Sequence, residues 1–260
     1  TAQPDGLLFS KGAEGAAMYH HGLATLALGQ AWGTTRQPRL RDTLLRAVER
    51  IVTSQNPQGG WRYQPKPVDA DVSVTVMQLL ALRSARDAGI AVPEATIAKG
   101  LDYVRACWND PAKGFDGGIG YTPKKPATFS STCAGLTSLL VCGAADDPRI
   151  PATVKFIASF QPIGEGVRAI VLPVLPIGAL HALADRQYGQ YYGAHALYHV
   201  QHLGGDYAAL WQRWYAGVAA QQVALQREDG SWAGNYGVFP TATALLTLAV
   251  PLHYLPVYHR

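Results

Sequence analysis

Apolar side chains recur every three or four positions along most of the chain, the spacing that places them on one face of an α-helix. Between residues 39 and 54, for example, Leu44, Val48 and Ile51 share a stripe, while charged residues occupy the opposite face. Apolar and polar residues nowhere alternate for long enough to require a β-sheet. We expect Gly33 to end the first helix. The pattern predicts helices over residues 16–32, 39–54, 72–88, 94–108, 131–144, 152–160, 191–203, 207–226 and 241–255.

The predicted helices are of two kinds that alternate along the chain. Those beginning near residues 16, 72, 131, 191 and 241 carry almost no charge, so we expect them to be buried all round. The helices between them carry Arg, Lys, Glu and Gln on one face and are expected to be half exposed. This alternation predicts an all-α fold, an α/α toroid of inner and outer helices with four to five helical hairpins. We expect a single domain over residues 1–260, with residues 1–14 as an N-terminal extension.

The turns that join an outer helix to the next inner helix share a sequence pattern. Residues 55–61 and 226–232 both read Q-x-x-x-G-x-W, and residues 108–118 and 161–167 look like degraded copies. The first three copies along the chain start 53 residues apart, a period that suits one helical hairpin with its turns. Glycine permits the positive φ that ends a helix, glutamine can bond the freed backbone groups, and tryptophan can cover the joint.

These turns resemble the glutamine–tryptophan repeats of squalene–hopene cyclases and their relatives, the toroids of the terpenoid cyclase and protein prenyltransferase group. The stretch 69–75, followed by a Leu- and Ala-rich helix, is also similar to bacterial proteins with prenyltransferase and squalene oxidase repeats. The resemblance covers residues 19–255 and implies an α/α barrel. A complete barrel of this kind has about six hairpins, so we expect one that is open, trimmed or completed by a partner. The repeats are structural and do not specify the chemistry.

The resemblance also implies a candidate acid. Class II terpene cyclases protonate an alkene with the middle Asp of a D-x-D-D motif, which here matches Asp69-Ala70-Asp71-Val72. Asp71 would be the general acid and Asp69 its neighbour, but Val72 replaces the last carboxylate. Squalene-type cyclases also enclose their cavity between two barrels, whereas this chain supplies one. The alternative, which we favour, makes Asp71 the N-cap of the helix that follows.

A zinc site is the third possibility that the resemblance raises. Protein prenyltransferases hold zinc with an Asp, a Cys and a His on inner helices. Cys133 and His195 match two of these ligands, but Ser131 stands at the Asp position and is a poor ligand. His195, His199 and His202 share one helical face without a nearby carboxylate. We favour packing roles for all of them, and we expect no metal and no cofactor.

Aromatic residues cluster in the turns that lead into the inner helices. In an α/α barrel these turns meet at one end, so the rings would surround a common mouth and bind an apolar chain, a sugar or a cation. Packing of the barrel end explains them equally well. The same turns carry basic residues that either form an anion-binding rim or are simply charged residues of solvated loops, and the two explanations are equally good. These residues are Arg62, Lys66, Lys124 and Lys125. The candidate ligand-binding residues are Trp61, Tyr63, Tyr121, Phe129, Tyr191, Tyr192, His195 and Tyr236.

Composition excludes several classes of protein. The formal charge of +4 is not concentrated in any block, so a nucleic-acid interface has no support. Three cysteines without a C-x-x-C pair argue against a disulfide framework. The longest apolar run, residues 169–184, is interrupted by Pro173 and Pro176 and is too short to span a bilayer, and the conformation of residues 163–187 stays open. A cleaved signal peptide would explain the start at Thr1, but so would a start within a longer sequence, and no compartment follows.

Three functions remain open on the sequence. A binding or scaffold module would use the aromatic mouth to hold an apolar, isoprenoid-like ligand or a protein partner. A cyclase-like isomerase would use Asp71 as its general acid, and a zinc prenyltransferase-like enzyme would use Cys133 and His195. The incomplete acid motif, the single barrel and the missing zinc ligand favour the first.

Overall fold

The periodic segments of the sequence form helices. The computed structural model describes residues 3–160, 177–234 and 237–252. This part of the chain contains no β-strand, only two isolated antiparallel bridges in the turn before α5. The all-α prediction is therefore confirmed. The helices are α1 (Ala17–Thr35), α2 (Pro38–Thr53), α3 (Val72–Asp87), α4 (Glu94–Ala106), α5 (Phe129–Val141), α6 (Ile150–Ser159), α7 (Ile177–Val200), α8 (Tyr207–Leu225) and α9 (Phe239–Ala249).

The odd-numbered helices pack on one another in succession, α1 on α3, α3 on α5, α5 on α7 and α7 on α9. Each even-numbered helix packs against an odd-numbered neighbour. No residue of α3 or α5 is exposed, whereas α2 exposes its charged face, as the two kinds of sequence pattern predict. The helices at the two ends of the succession are less covered, since Leu23 of α1 is 37% exposed and Leu245 of α9 is 53% exposed.

Several helix boundaries differ from the prediction, since α5 ends at Val141 and α9 at Ala249, before the predicted residues 144 and 255. Gly33 does not end α1, which continues to Thr35 because a glycine costs an α-helix only about 1 kcal/mol. The helix ends instead at Arg36, whose φ is +53°, and whose Nη1 donates to the Ala88 carbonyl at 2.7 Å. Helix α7 begins at Ile177, well before the predicted residue 191, while residues 161–176 lie outside the described chain.

The two Q-x-x-x-G-x-W turns make the same hydrogen bonds. The indole N–H groups of Trp61 and Trp232 donate to the carbonyls ten residues earlier, at 2.8 and 2.7 Å. The side-chain amides of Gln55 and Gln226 donate to the carbonyl of the turn glycine, at 2.7 and 3.1 Å. Because both side chains bond backbone groups where the helix ends, the turn joins an even-numbered helix firmly to the next odd-numbered helix.

The turn at residues 108–119 has the same hydrogen bonds with different side chains. The Trp108 indole donates to the Gly117 carbonyl at 2.9 Å, as Gln55 does to the equivalent glycine. The Ile119 N–H donates to Thr132 Oγ1 at 2.9 Å, as the Trp61 N–H donates to the corresponding threonine, Thr75, at 3.1 Å. Residues 55–61, 108–119 and 226–232 are called the first, second and third joints below. The fourth expected copy, residues 161–167, lies outside the described residues.

The N-terminal segment is docked on the helices. Leu7 and Leu8 are buried. The Leu8 N–H donates to His21 Nδ1 at 3.0 Å, and His21 Nε2 lies 3.0 Å from the Ala47 carbonyl oxygen. A single neutral imidazole, accepting at Nδ1 and donating at Nε2, therefore joins this segment to α1 and α2.

Candidate functional site

Four half-buried tyrosines meet at the N-terminal end of α3. Tyr19 comes from α1, Tyr63 and Tyr121 from the turns before α3 and α5, and Tyr188 from α7. The rings of Tyr19 and Tyr63 stack at 5.6 Å, and the hydroxyls of Tyr63 and Tyr121 hydrogen-bond each other. Ser73, in the first turn of α3, bonds the Tyr19 hydroxyl through its Oγ and accepts from the Tyr188 hydroxyl at its carbonyl, at 3.2 Å. We call these four residues the tyrosine cluster.

Asp71 lies next to the tyrosine cluster as the N-cap of α3, as the favoured interpretation predicts. Its backbone is extended, and its Oδ1 accepts the Val74 N–H at 2.9 Å and the Ser73 hydroxyl at 2.6 Å. The whole residue is 0% exposed. The cap is therefore a carboxyl group enclosed by protein, an unusual position for an acidic side chain.

Arg62 connects Asp71 to the tyrosines. Its Nε lies 3.4 Å from Asp71 Oδ2, and its Nη1 lies 3.5 Å from Oδ2 of the exposed Asp69. Its guanidinium carbon stands 4.8 Å from the ring centroid of Tyr63 and 5.7 Å from that of Tyr121. Two carboxylates and two ring faces thus hold one guanidinium group, whose side chain is 25% exposed.

Burial governs the protonation of these groups. It raises the pKa of Asp71, and the bond from Ser73 and the positive charge of Arg62 only partly oppose it. Burial likewise raises the pKa values of Tyr19 and Tyr121 above their ordinary value, so both phenols stay neutral donors at physiological pH. The site combines neutral hydroxyls with one carboxyl–guanidinium pair.

The second joint provides an internal comparison for Asp71. Thr128 caps α5 as Asp71 caps α3, its Oγ1 accepting the Ser131 N–H at 3.2 Å. The position that Arg62 occupies after the first joint is Gly120 after the second. The two joints therefore share these backbone hydrogen bonds, and only the first is followed by this pair of interacting side chains.

The other expected ligand-binding residues lie outside the tyrosine cluster. Trp61 is fully buried and packs toward Gly100 of α4, where an added Cβ would stand 3.1 Å from the indole. Phe129 packs on Phe160 at 5.3 Å. Asp69 is exposed and reaches the site only through Arg62. Tyr236 lies outside the described residues.

A line of rings extends from the tyrosine cluster along α7. Tyr192 packs on Tyr188 at 4.7 Å and on Tyr191 at 4.8 Å, and Tyr191 contacts His195 at 4.9 Å. Tyr191, Tyr192 and His195 are buried, so only Tyr188 of this line belongs to the half-exposed cluster.

The residues considered for zinc lie in different environments. Cys133 is fully buried in α5 opposite Gly193 of α7, where an added Cβ would stand 3.0 Å from its Sγ. His202 is exposed in a short 3₁₀ turn that follows α7, whereas His195 is buried. Within residues 3–160, 177–234 and 237–252, no group of three or more His, Cys, Asp or Glu side chains is placed to hold a metal ion.

Sequence reasoning missed Tyr19 and Tyr188. Tyr188, Tyr191, Tyr192 and His195 follow each other at three- and four-residue steps, which would have revealed the line on α7 had the helix been extended toward residue 177. Tyr19 gave no comparable indication, because its partners are 44 to 169 residues away in the chain.

No protein-family model matches the chain, and no curated protein matches it significantly. In the part of the chain that the structure describes, no helix has both the length and the apolar character needed to cross a membrane.

Proposed function

We propose that the chain is an α/α toroid of the terpenoid cyclase and prenyltransferase type that acts as a binding module for an apolar, isoprenoid-like ligand. Three features support the toroid: the succession of odd-numbered helices, of which α3 and α5 have no exposed residue, the half-exposed helices packed on them, and joints that repeat the same hydrogen bonds. The likeness of these joints to glutamine–tryptophan repeats supports the family.

The observation that carries the binding function is the tyrosine cluster. Four phenol rings from α1, α7 and two turns converge on one half-exposed place at the start of an inner helix. Rings that serve only as packing are normally buried further, whereas binding sites present aromatic faces together with a few polar groups. We commit to a small apolar ligand and treat a protein partner as an outcome of the test.

A specific observation also favours a second candidate, the class II cyclase-like isomerase. Asp71 is fully buried and burial raises its pKa, both of which a proton donor to an alkene requires. Against it, Oδ1 already accepts two hydrogen bonds and Oδ2 faces Arg62, contacts that favour the ionised carboxylate. Thr128 also performs the capping role without an acid.

Equilibrium dialysis with radiolabelled farnesol tests the binding function. We expect saturable binding that falls at least tenfold in a Tyr63→Ala, Tyr121→Ala double variant. Tyr207→Ala is the matched control, because this half-buried tyrosine begins α8 and so lies at the opposite end of a hairpin from the joints. Equal binding by the double variant contradicts the proposal. A protein partner is favoured instead if the wild type does not bind farnesol, and if a protein from the host cell is retained by the wild type but not by the double variant.

Incubation with squalene separates the two candidates. Cyclised products from the wild type that disappear in Asp71→Asn support the isomerase. Unchanged squalene in both samples, together with farnesol binding, supports the binding module.

A further inference from the structure

The first joint differs from the second by a pair of side chains that contact each other. Asp71 replaces the neutral cap Thr128, and Arg62 replaces Gly120, while the hydrogen bonds of the backbone are retained. The Asp71 N–H donates to the carbonyl at the end of the first joint at 3.1 Å, and the Thr128 N–H makes the equivalent bond at 3.3 Å. The ion pair is therefore an addition to the repeated structure.

Capping does not account for the charge of Asp71. A threonine fills the same position before α5, and threonine is an adequate N-cap. Burial of a carboxylate is costly unless it is paired, and the residue that pairs with Asp71 is Arg62. The carboxylate thus serves to hold the guanidinium in place.

Arg62 is held with one end turned outward. Asp71 and Asp69 approach Nε and Nη1, and the rings of Tyr63 and Tyr121 lie beside the guanidinium plane. The Arg62 side chain is 25% exposed, so part of the guanidinium reaches the surface. A guanidinium fixed in this way presents N–H donors to an oxyanion with little further loss of side-chain entropy.

The same end of the fold carries further positive charge. The two turns contain related sequences, Tyr63-Gln-Pro-Lys66 and Tyr121-Thr-Pro-Lys124, and both lysines are exposed with positive φ, +58° and +67°. The hydroxyl contact between Tyr63 and Tyr121 places the two turns side by side. With Lys125, these cations outnumber the two carboxylates of Asp69 and Asp71, so an anion is attracted to this place.

We propose that Arg62 recognises an oxyanion at the end of the apolar ligand, with Asp71 as its positioning residue. The apolar chain lies on the tyrosine cluster, and a carboxylate or a phosphate at its end accepts hydrogen bonds from the exposed part of the Arg62 guanidinium. This inference rests on the proposed binding function and narrows its ligand to an amphipathic anion.

Three probes that share the farnesyl hydrocarbon and differ in their head group test the proposal. They are farnesol, farnesoic acid and farnesyl monophosphate, and the binding of each is measured by equilibrium dialysis. We expect the wild type to bind at least one of the two anions about tenfold more tightly than farnesol, the ratio that one charge-assisted hydrogen bond provides. The anion that shows the larger preference identifies the head group. Raising the salt concentration should reduce this preference.

Variants assign the preference to the two residues. Arg62→Ala should remove the preference for the anion, so that neither anion binds more tightly than farnesol does to the same variant, and Arg62→Lys should keep part of the preference. Asp71→Thr restores the cap of the second joint, so it should reduce the preference without a large change in melting temperature. Arg41→Ala, an exposed arginine on α2, should behave as the wild type.

The outcomes distinguish the inference from the function on which it rests. If the wild type binds farnesol, farnesoic acid and farnesyl monophosphate with equal affinity, oxyanion recognition is refuted, whereas the proposed binding module is not. A preference that persists in Arg62→Ala also refutes it. Absence of binding by every probe refutes the binding module and the inference together.

Discussion

Replacement of Trp61 by alanine measures how much a joint contributes to stability. The indole is fully buried and lies against Gly100, which has no side chain to fill the space that the ring would leave. Truncation of a buried tryptophan costs about 3–5 kcal/mol, and poor collapse of the site places this one in the upper half of that range. The lost bond to the Ile51 carbonyl adds little, because that oxygen also accepts the Ser54 N–H at 3.1 Å. We therefore predict that Trp61→Ala lowers the free energy of unfolding by about 4 kcal/mol.

Urea unfolding followed by circular dichroism provides the measurement, with two comparison variants. Trp61→Phe keeps most of the ring and should cost about 1–2 kcal/mol. Trp32→Ala removes a half-buried tryptophan from the end of α1 and should cost about 1–2 kcal/mol. A loss below about 2 kcal/mol for Trp61→Ala, or one equal to that of Trp32→Ala, would refute the role of this ring in locking the joint.

Three further stability predictions follow from single contacts. Trp232→Ala, in the third joint, should lower the unfolding free energy by about 3 kcal/mol in the same urea assay, less than Trp61→Ala because α9 ends the helix succession. Burial lowers the pKa of His21 from 6.5 to about 4, so the unfolded chain binds the extra proton first. Stability should fall by about 3 kcal/mol as the pH drops from 6.5 to about 4, and His21→Gln should abolish this part of the pH dependence. Gly59→Ala should cost about 2 kcal/mol or more in thermal melts, because its φ is +92° and a Cβ would overlap the Lys99 carbonyl, whereas Gly12→Ala, at φ +89° with open space around it, should cost about 1 kcal/mol.

Periodicity was sufficient to predict the helices because burial in this fold follows helix faces. The charged face of α2 and the uncharged residues 72–82 of α3 have opposite environments, and each was evident from residue type alone. Helix ends were less predictable. Gly33 lies two residues before the actual end of α1, and the residue that ends it, Arg36, is held by the carbonyl of Ala88, a contact that no local pattern indicates.

Only part of the candidate site could be predicted from the sequence. Asp71 was predicted as a cap because capping is local, but its pairing with Arg62 depends on how the first joint folds back over α3. Trp61 was expected at the mouth because of its position in the turn. Its indole turns toward the outer helices instead, since the N–H bonds a carbonyl of α2. Tyr19 reaches Ser73 only through the packing of α1 on α3.

The comparison of equivalent joints locates function better than either joint does alone. Hydrogen bonds that recur in the first and second joints are what any helix-to-helix turn of this fold requires, so they carry no information about a ligand. Side chains that differ between joints are free of that requirement, and where two of them contact each other, the repeated turn does not explain both. Arg62 and Asp71 meet this criterion, since Gly120 and Thr128 show that the turn forms without them. A buried carboxylate that stabilised nothing but a helix end would be replaceable by threonine with no other consequence, whereas Asp71 also holds a guanidinium beside two tyrosine rings, as the proposed anion site requires.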